Sequence, residues 1–117
     1  MDNKNVRLIK KIIDHAEKIL TYCNALSKDT FLGDDKLIEA CVFNIIQIGE
    51  ATRQLSDDFT AKYANIHWNK IYGLRNRIVH DYDGIDFSLI WDIICNDLLD
   101  LIRQLNEILE DSKEANS

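Results

Sequence analysis

Proline is absent from this chain of 117 residues, and glycine occurs only four times. A chain so short of helix breakers can form long uninterrupted helices, so the deficit points to an all-α fold. Cysteine is scarce as well. Cys23, Cys41 and Cys95 are odd in number and far apart, and they form no Cys-x-x-Cys pair. Each falls in an apolar helical stripe, which reads as buried reduced thiols and fits a reducing cytoplasm. No segment approaches the roughly 18 apolar residues of a membrane span, and residues 1–5 lack the apolar core of a signal peptide. Positive charge is in deficit: 14 Lys and Arg stand against 20 Asp and Glu, for a net charge of −6. That argues against a broad non-specific nucleic-acid binder, which would carry a basic face, but not against a nuclease with one local cationic site.

Hydrophobic residues make up 46% of the chain and charged residues 29%, an ordinary globular balance for a single domain. Val6, Ile9, Ile13, Ala16, Leu20 and Cys23 recur at spacings of three and four, widened by Ile12 and Ile19, after possible caps at Asp2 or Asn3. The pattern lapses from Leu26 to Asp35, a predicted loop in which Phe31 and Leu32 pack inward. A second long helix, capped by Asp34 or Asp35, runs to about Leu55 through Ile38, Cys41, Ile45, Ile48 and Thr52, flanked by Leu37, Phe43 and Ile46. Ser56 starts a short helix ending near Tyr63, and His67-Trp68 opens another whose apolar side is Ile71, Leu74, Ile78 and Val79. After an Asp83-Gly84 turn, Asp86 caps a last long helix from Phe87 through Ile90, Ile94, Leu98, Leu101, Leu105 and Ile108. The expectation is an antiparallel bundle of three long and two short helices over residues 1–110, with a polar, frayed tail at 111–117. The width of the second and last stripes suggests that some apolar surface meets another chain.

The chemistry concentrates in Leu74-Arg75-Asn76-Arg77-Ile78-Val79-His80-Asp81-Tyr82, where a helix runs into the turn. Arg75 is a permanent cation, His80 can exchange a proton near neutral pH, and Tyr82 offers a phenol. On one continuous helix Arg75 and His80 lie about 140° apart. Either the helix ends before His80 and lets it swing round, or two copies of the segment meet across a two-fold axis. The bare Arg-to-His spacing is a weak signal, since basic residues at a helix C-terminus are favoured by the helix dipole alone.

The surroundings add to it. Ile48-Gly49-Glu50-Ala51 sits mid-helix, where a glycine costs about 1 kcal/mol relative to alanine and so points to close packing. With His67-Trp68 and the Arg75-to-Tyr82 segment, this pattern resembles the HepT group of the HEPN superfamily, over nearly the whole chain. The resemblance implies a HEPN-like helical bundle and a metal-independent ribonuclease toxin of a prokaryotic type II or type VII-like toxin–antitoxin pair. It implies a homodimer whose Arg and His motifs face each other, needing no cofactor. It also implies an MntA-like nucleotidyltransferase antitoxin that silences the toxin by transferring AMP to Tyr82.

The residue types suit that chemistry. Cleavage through the 2′-hydroxyl needs one proton removed and another supplied, which His80 can do. Arg75 can hold the phosphate and offset charge on its oxygens. Asn76 can position a phosphate oxygen or a partner histidine, and Tyr82 can hydrogen-bond the RNA.

Glu50 is a candidate partner for a motif arginine. Arg77, two residues from Arg75, points elsewhere and reads as a surface or antitoxin-facing charge. His67 begins its helix and His15 lies on a polar flank; neither makes a metal-binding spacing with His80, so no metal site is expected. Trp68 and Trp91 read as packing anchors. Asp57, Asp58, Asp81, Asp83 and Asp86 sit at turns and caps. The rival functions are a non-catalytic helical partner that regulates a minimal nucleotidyltransferase, and a nucleotide-binding module that uses Arg75 on a phosphate.

Overall fold

The structure, a computed structural model, describes residues 3–116. The possible capping role of Asp2 lies outside the described residues. Among these the chain forms seven α-helices and no strand, as an all-α bundle.

Helix α1, Asn3–Cys23, buries Leu8, Ile9, Ile12, Ile13, Ala16, Ile19 and Cys23, the face that the three-and-four spacing marks out. Helix α3, Asp35–Arg53, is capped by the Asp34 carboxylate, which accepts from the Leu37 amide at 3.0 Å. It runs antiparallel to α1, as two cross-contacts show. His15 Nδ1 lies 2.7 Å from Asn44 Oδ1, and farther along, the Cys23 and Cys41 sulfurs are 3.6 Å apart. Burial pushes both thiols up, Cys41 to about 12, so they are inert core groups at neutral pH, whereas Cys95, also expected to be buried, is exposed.

The stretch read as a loop contains one helical turn, α2, Lys28–Leu32, capped by Ser27 Oγ on the Thr30 amide at 3.1 Å. Phe31 is fully buried against Trp91, with ring centroids 5.0 Å apart, but Leu32 is exposed rather than packed inward. Phe43, placed on the flank of the apolar stripe, likewise faces outward. Leu32 lies where the apolar period lapses and Phe43 at the flank of a stripe, so neither position was fixed by the period.

Helix α4, Asp57–Lys62, starts at the predicted Ser56 cap, whose hydroxyl accepts from the Phe59 amide at 3.3 Å. Asn5, buried at the start of α1, brackets that cap: its Nδ2 donates to Ser56 Oγ at 3.1 Å and its Oδ1 accepts from the Ser56 amide at 3.2 Å. Helix α5, Trp68–His80, packs chiefly on α3. Its Trp68 is a core anchor, with Nε1 donating to the Tyr63 carbonyl at 3.1 Å. A single 3-10 turn, Tyr82–Gly84, follows. Gly84 leaves room for the Asp81 side chain: a Cβ there would fall 2.3 Å from a carboxylate oxygen, which the exposed aspartate would have to swing aside.

The predicted last long helix is two helices. Helix α6, Phe87–Asn96, begins at the Asp86 cap, and α7, Leu98–Asn116, follows a break at Asp97. Asn96 and Asp97 are weak helix formers whose short polar side chains compete for backbone groups, and both are exposed here. The segment from Asp111, read as a frayed tail, continues α7 to Asn116; Ser112 is buried and Asp111 Oδ2 accepts from the Tyr63 hydroxyl at 2.6 Å. No helix among the described residues is long and apolar enough to cross a membrane.

Candidate active site on the α3–α5 face

Arg75 sits where α5 comes closest to α3. A Cβ on Gly49 would stand 2.3 Å from the Arg75 Cβ and 2.8 Å from its Cγ, so the glycine is what lets the two helices meet at this residue. The next residue along α3 then takes the head of the side chain. Arg75 Nε lies 2.6 Å from Glu50 Oε1. Both atoms are closed to solvent, and the N–H does not point at the oxygen, so the contact is an ion pair rather than an aligned hydrogen bond. Arg75 Nη1 donates to Asn76 Oδ1 at 2.9 Å, and its Cζ is 5.8 Å from the centre of the Tyr72 ring. The guanidinium is thus half-buried and held at two of its three nitrogens.

His80 is differently placed. It is the last residue of α5 and exposed, and among the described residues its side chain makes no hydrogen bond or ion pair. The Asp81 amide donates to the Arg77 carbonyl at 2.9 Å, so the helical ladder runs past His80. The option that the helix ends early and frees His80 to swing towards Arg75 is therefore removed. The two residues stay about 140° apart around one helix.

Tyr82 occupies the 3-10 turn, its ring tilted against Phe87 with centroids 5.5 Å apart and 37% of its surface exposed. Desolvation, then the carboxylates of Glu39, Asp35 and Asp83, push its phenol above the ordinary value, so it stays protonated at neutral pH. Arg77 is exposed, and Asp81 lays its carboxylate against Gly84. The structure therefore brings together Arg75, Asn76 and Glu50, while His80 and Tyr82 stand apart from that cluster as exposed groups.

The sequence profile described as "Ribonuclease HepT-like" matches residues 12–108 of this chain. The chain belongs to the HepT-like ribonuclease family. It is 34% identical to "Putative RNase MJ0127" of Methanocaldococcus jannaschii, over 95% of this chain and 93% of that protein. It is 30% identical to "Putative RNase TTE0752" of Caldanaerobacter subterraneus, over 90% and 94%. It is 26% identical to "Probable ribonuclease HepT" of Thermococcus cleftensis, over 77% and 82%. No solved structure matches the chain significantly.

Three groups around the site of this HepT-like chain were missed from the sequence. Asp35 and Glu39 reach the field of Tyr82 from the start of α3, a long-range neighbourhood that no local motif reports. Arg53 Nη2 lies 3.7 Å from Glu50 Oε2. The signal for that pair was there, as a Glu followed three residues later by an Arg on one helix face.

Proposed function

We propose that this HepT-like chain is an endoribonuclease toxin of a toxin–antitoxin pair, acting as a homodimer whose active site draws on Arg75 and His80 of both chains. The observation that carries the reading is the split geometry of α5. Arg75 is seated and oriented, His80 is exposed and unpartnered, and one straight helix keeps them apart. A second copy across a two-fold axis supplies what one chain cannot bring together. Val79, exposed at 47% beside His80, offers apolar surface to such a partner.

One His80 takes the proton from the 2′-hydroxyl, whose oxygen attacks the adjacent phosphorus. The bond from phosphorus to the 5′-oxygen breaks, and the partner's His80 protonates that oxygen. The products are a 2′,3′-cyclic phosphate and a 5′-hydroxyl. The reaction so written needs no metal. Arg75 meets the charge that develops on the phosphate oxygens, and Asn76, already bonded to Arg75, holds that guanidinium in orientation. AMP transferred to Tyr82 by a nucleotidyltransferase antitoxin places an anion at the edge of the site and repels RNA.

His80→Ala should abolish both RNA cleavage and growth inhibition, and the wild-type products should carry cyclic phosphate ends. Cleavage by His80→Ala at the wild-type rate would contradict the scheme. Tyr82→Phe should escape AMP transfer; modification at that peptide in the variant would remove Tyr82 from the account. The second reading, a non-catalytic partner of a nucleotidyltransferase, is favoured by one observation: Tyr82 sits in the field of Asp35, Glu39 and Asp83, which suits a basic protein better than RNA. A wild-type protein that neither harms cells nor cuts RNA would select it.

A further inference from the structure

Glu50 touches two arginines with its two oxygens. Oε1 lies 2.6 Å from Arg75 Nε, and Oε2 lies 3.7 Å from Arg53 Nη2. In a chain of net charge −6, one carboxylate thus gathers two guanidinium groups at the α3–α5 face and leaves the trio with a net positive charge. The two arginines are held to different degrees. Arg75 is only 21% exposed, with Nε on Glu50 and Nη1 on Asn76, so Nη2 is the nitrogen left for a ligand. Arg53, in the last turn of α3, is 58% exposed and joined to Glu50 by a single long contact. An exposed ion pair three residues apart contributes little to stability and yields readily to a better anion.

We propose that Arg53 is a second phosphate-binding residue, reading a backbone phosphate next to the scissile one, and that Glu50 is the positioning residue that sets Arg75 and Arg53 side by side. The proposal rests on the ribonuclease reading for its ligand, a single RNA strand. RNA presents phosphates at a regular interval, and two guanidinium groups on one carboxylate offer one cation to each of two neighbouring phosphates. Arg75 is pre-oriented for the phosphate under attack. Arg53 has the reach and freedom to take a neighbour of less fixed position. Glu50 touches no RNA; it keeps Arg75 from turning into solvent and keeps Arg53 beside it.

The test compares wild type, Arg53→Ala, Arg53→Lys and Glu50→Ala on two substrates: a short oligoribonucleotide, and a dinucleoside monophosphate that has only the scissile phosphate. Arg53→Ala should raise KM several-fold more on the oligonucleotide than on the dinucleotide, and Arg53→Lys should recover most of it. Glu50→Ala should lower kcat on both substrates, because it releases Arg75. Anisotropy with an uncleavable 2′-deoxy-substituted oligonucleotide gives a readout that does not depend on catalysis. There Arg53→Ala should reduce the slope of log affinity against log salt by about 0.7, the value for one lost single-strand phosphate contact. Equal affinity and equal salt slope for wild type and Arg53→Ala would overturn the proposal, as would an equal KM increase on both substrates. If the wild type cuts neither substrate but Arg53→Ala still weakens the uncleavable strand, the phosphate site stands and the ribonuclease reading falls.

Discussion

Helices α1 and α5 carry apolar stripes of the same period and meet different fates. In α1 the stripe disappears into the bundle: Ile9, Ile12 and Ile19 are at most 1% exposed. In α5 only Trp68 and Ile78 are buried, residues 71 to 76 are all half-buried, and Val79 is 47% exposed. The reason lies in what α5 packs against. Its contact with α3 is made around a polar seat, Arg75 on Gly49 and Glu50, whereas α1 meets α3 largely through buried apolar side chains, with the His15–Asn44 pair beside them. Periodicity reports which face of a helix is apolar, and the partner decides how much of that face is covered. The helix that carries Arg75 and His80 is the one left partly uncovered.

The largest contrast between the two helices should appear in stability. Ile12→Ala should cost about 2–5 kcal/mol in urea unfolding, as a cavity in a closed core. Loss of under about 1 kcal/mol would mean that α1 is no better packed than α5. Gly49→Ala should come next, at about 1–3 kcal/mol, because the new Cβ has no room against Arg75 and the helices must part. Its cleavage rate should fall with it; an unaltered melting temperature would show that α5 is not seated on α3 at that point. Ser56→Ala should cost about 1 kcal/mol, since the hydroxyl caps α4 and accepts from the buried Asn5.

Alkaline pH sharpens the contrast at the far end of the bundle. Desolvation and the bond to Asp111 push the Tyr63 hydroxyl to about 12 from its ordinary 10. The folded state therefore holds this proton more tightly than the unfolded chain. The resulting stability is whole below pH 10 and is lost as the pH rises towards 12. Unfolding midpoints of wild type and Tyr63→Phe should converge over that window, and parallel curves would remove the Tyr63–Asp111 bond from the account. The smallest effect should belong to Val79→Ala: within about 0.5 kcal/mol for the isolated fold, as for an exposed position.

Much of this was legible in the sequence. The absence of proline and the spacing of Ile and Leu located α1, α3 and α5, the Ser56 cap located α4, and Asp34 and Asp86 also serve as the caps their positions indicated. Gly49 announced a close approach before its partner was known. The break at Asp97 was not legible, because the apolar period from Ile90 to Leu98 passes through it undisturbed and only the propensities of Asn96 and Asp97 mark it. Nor was the α2 turn, too short to show a period. At the site, the pairing of Glu50 with Arg75 was within reach of a motif argument. The approach of Asp35 and Glu39 to Tyr82 was not, since it depends on how α3 and the 3-10 turn lie in space.

The central claim is that one α5 cannot assemble the site and that both His80 side chains are used. It is tested most directly by mixing wild type with His80→Ala at constant total protein, after subunit exchange, and measuring RNA cleavage. If each site needs a His80 from both chains, activity should fall as the square of the wild-type fraction, to about a quarter at an equal mixture, as random pairing in a two-fold dimer requires. A linear decline, to about half, would contradict the account and give each chain a complete site of its own.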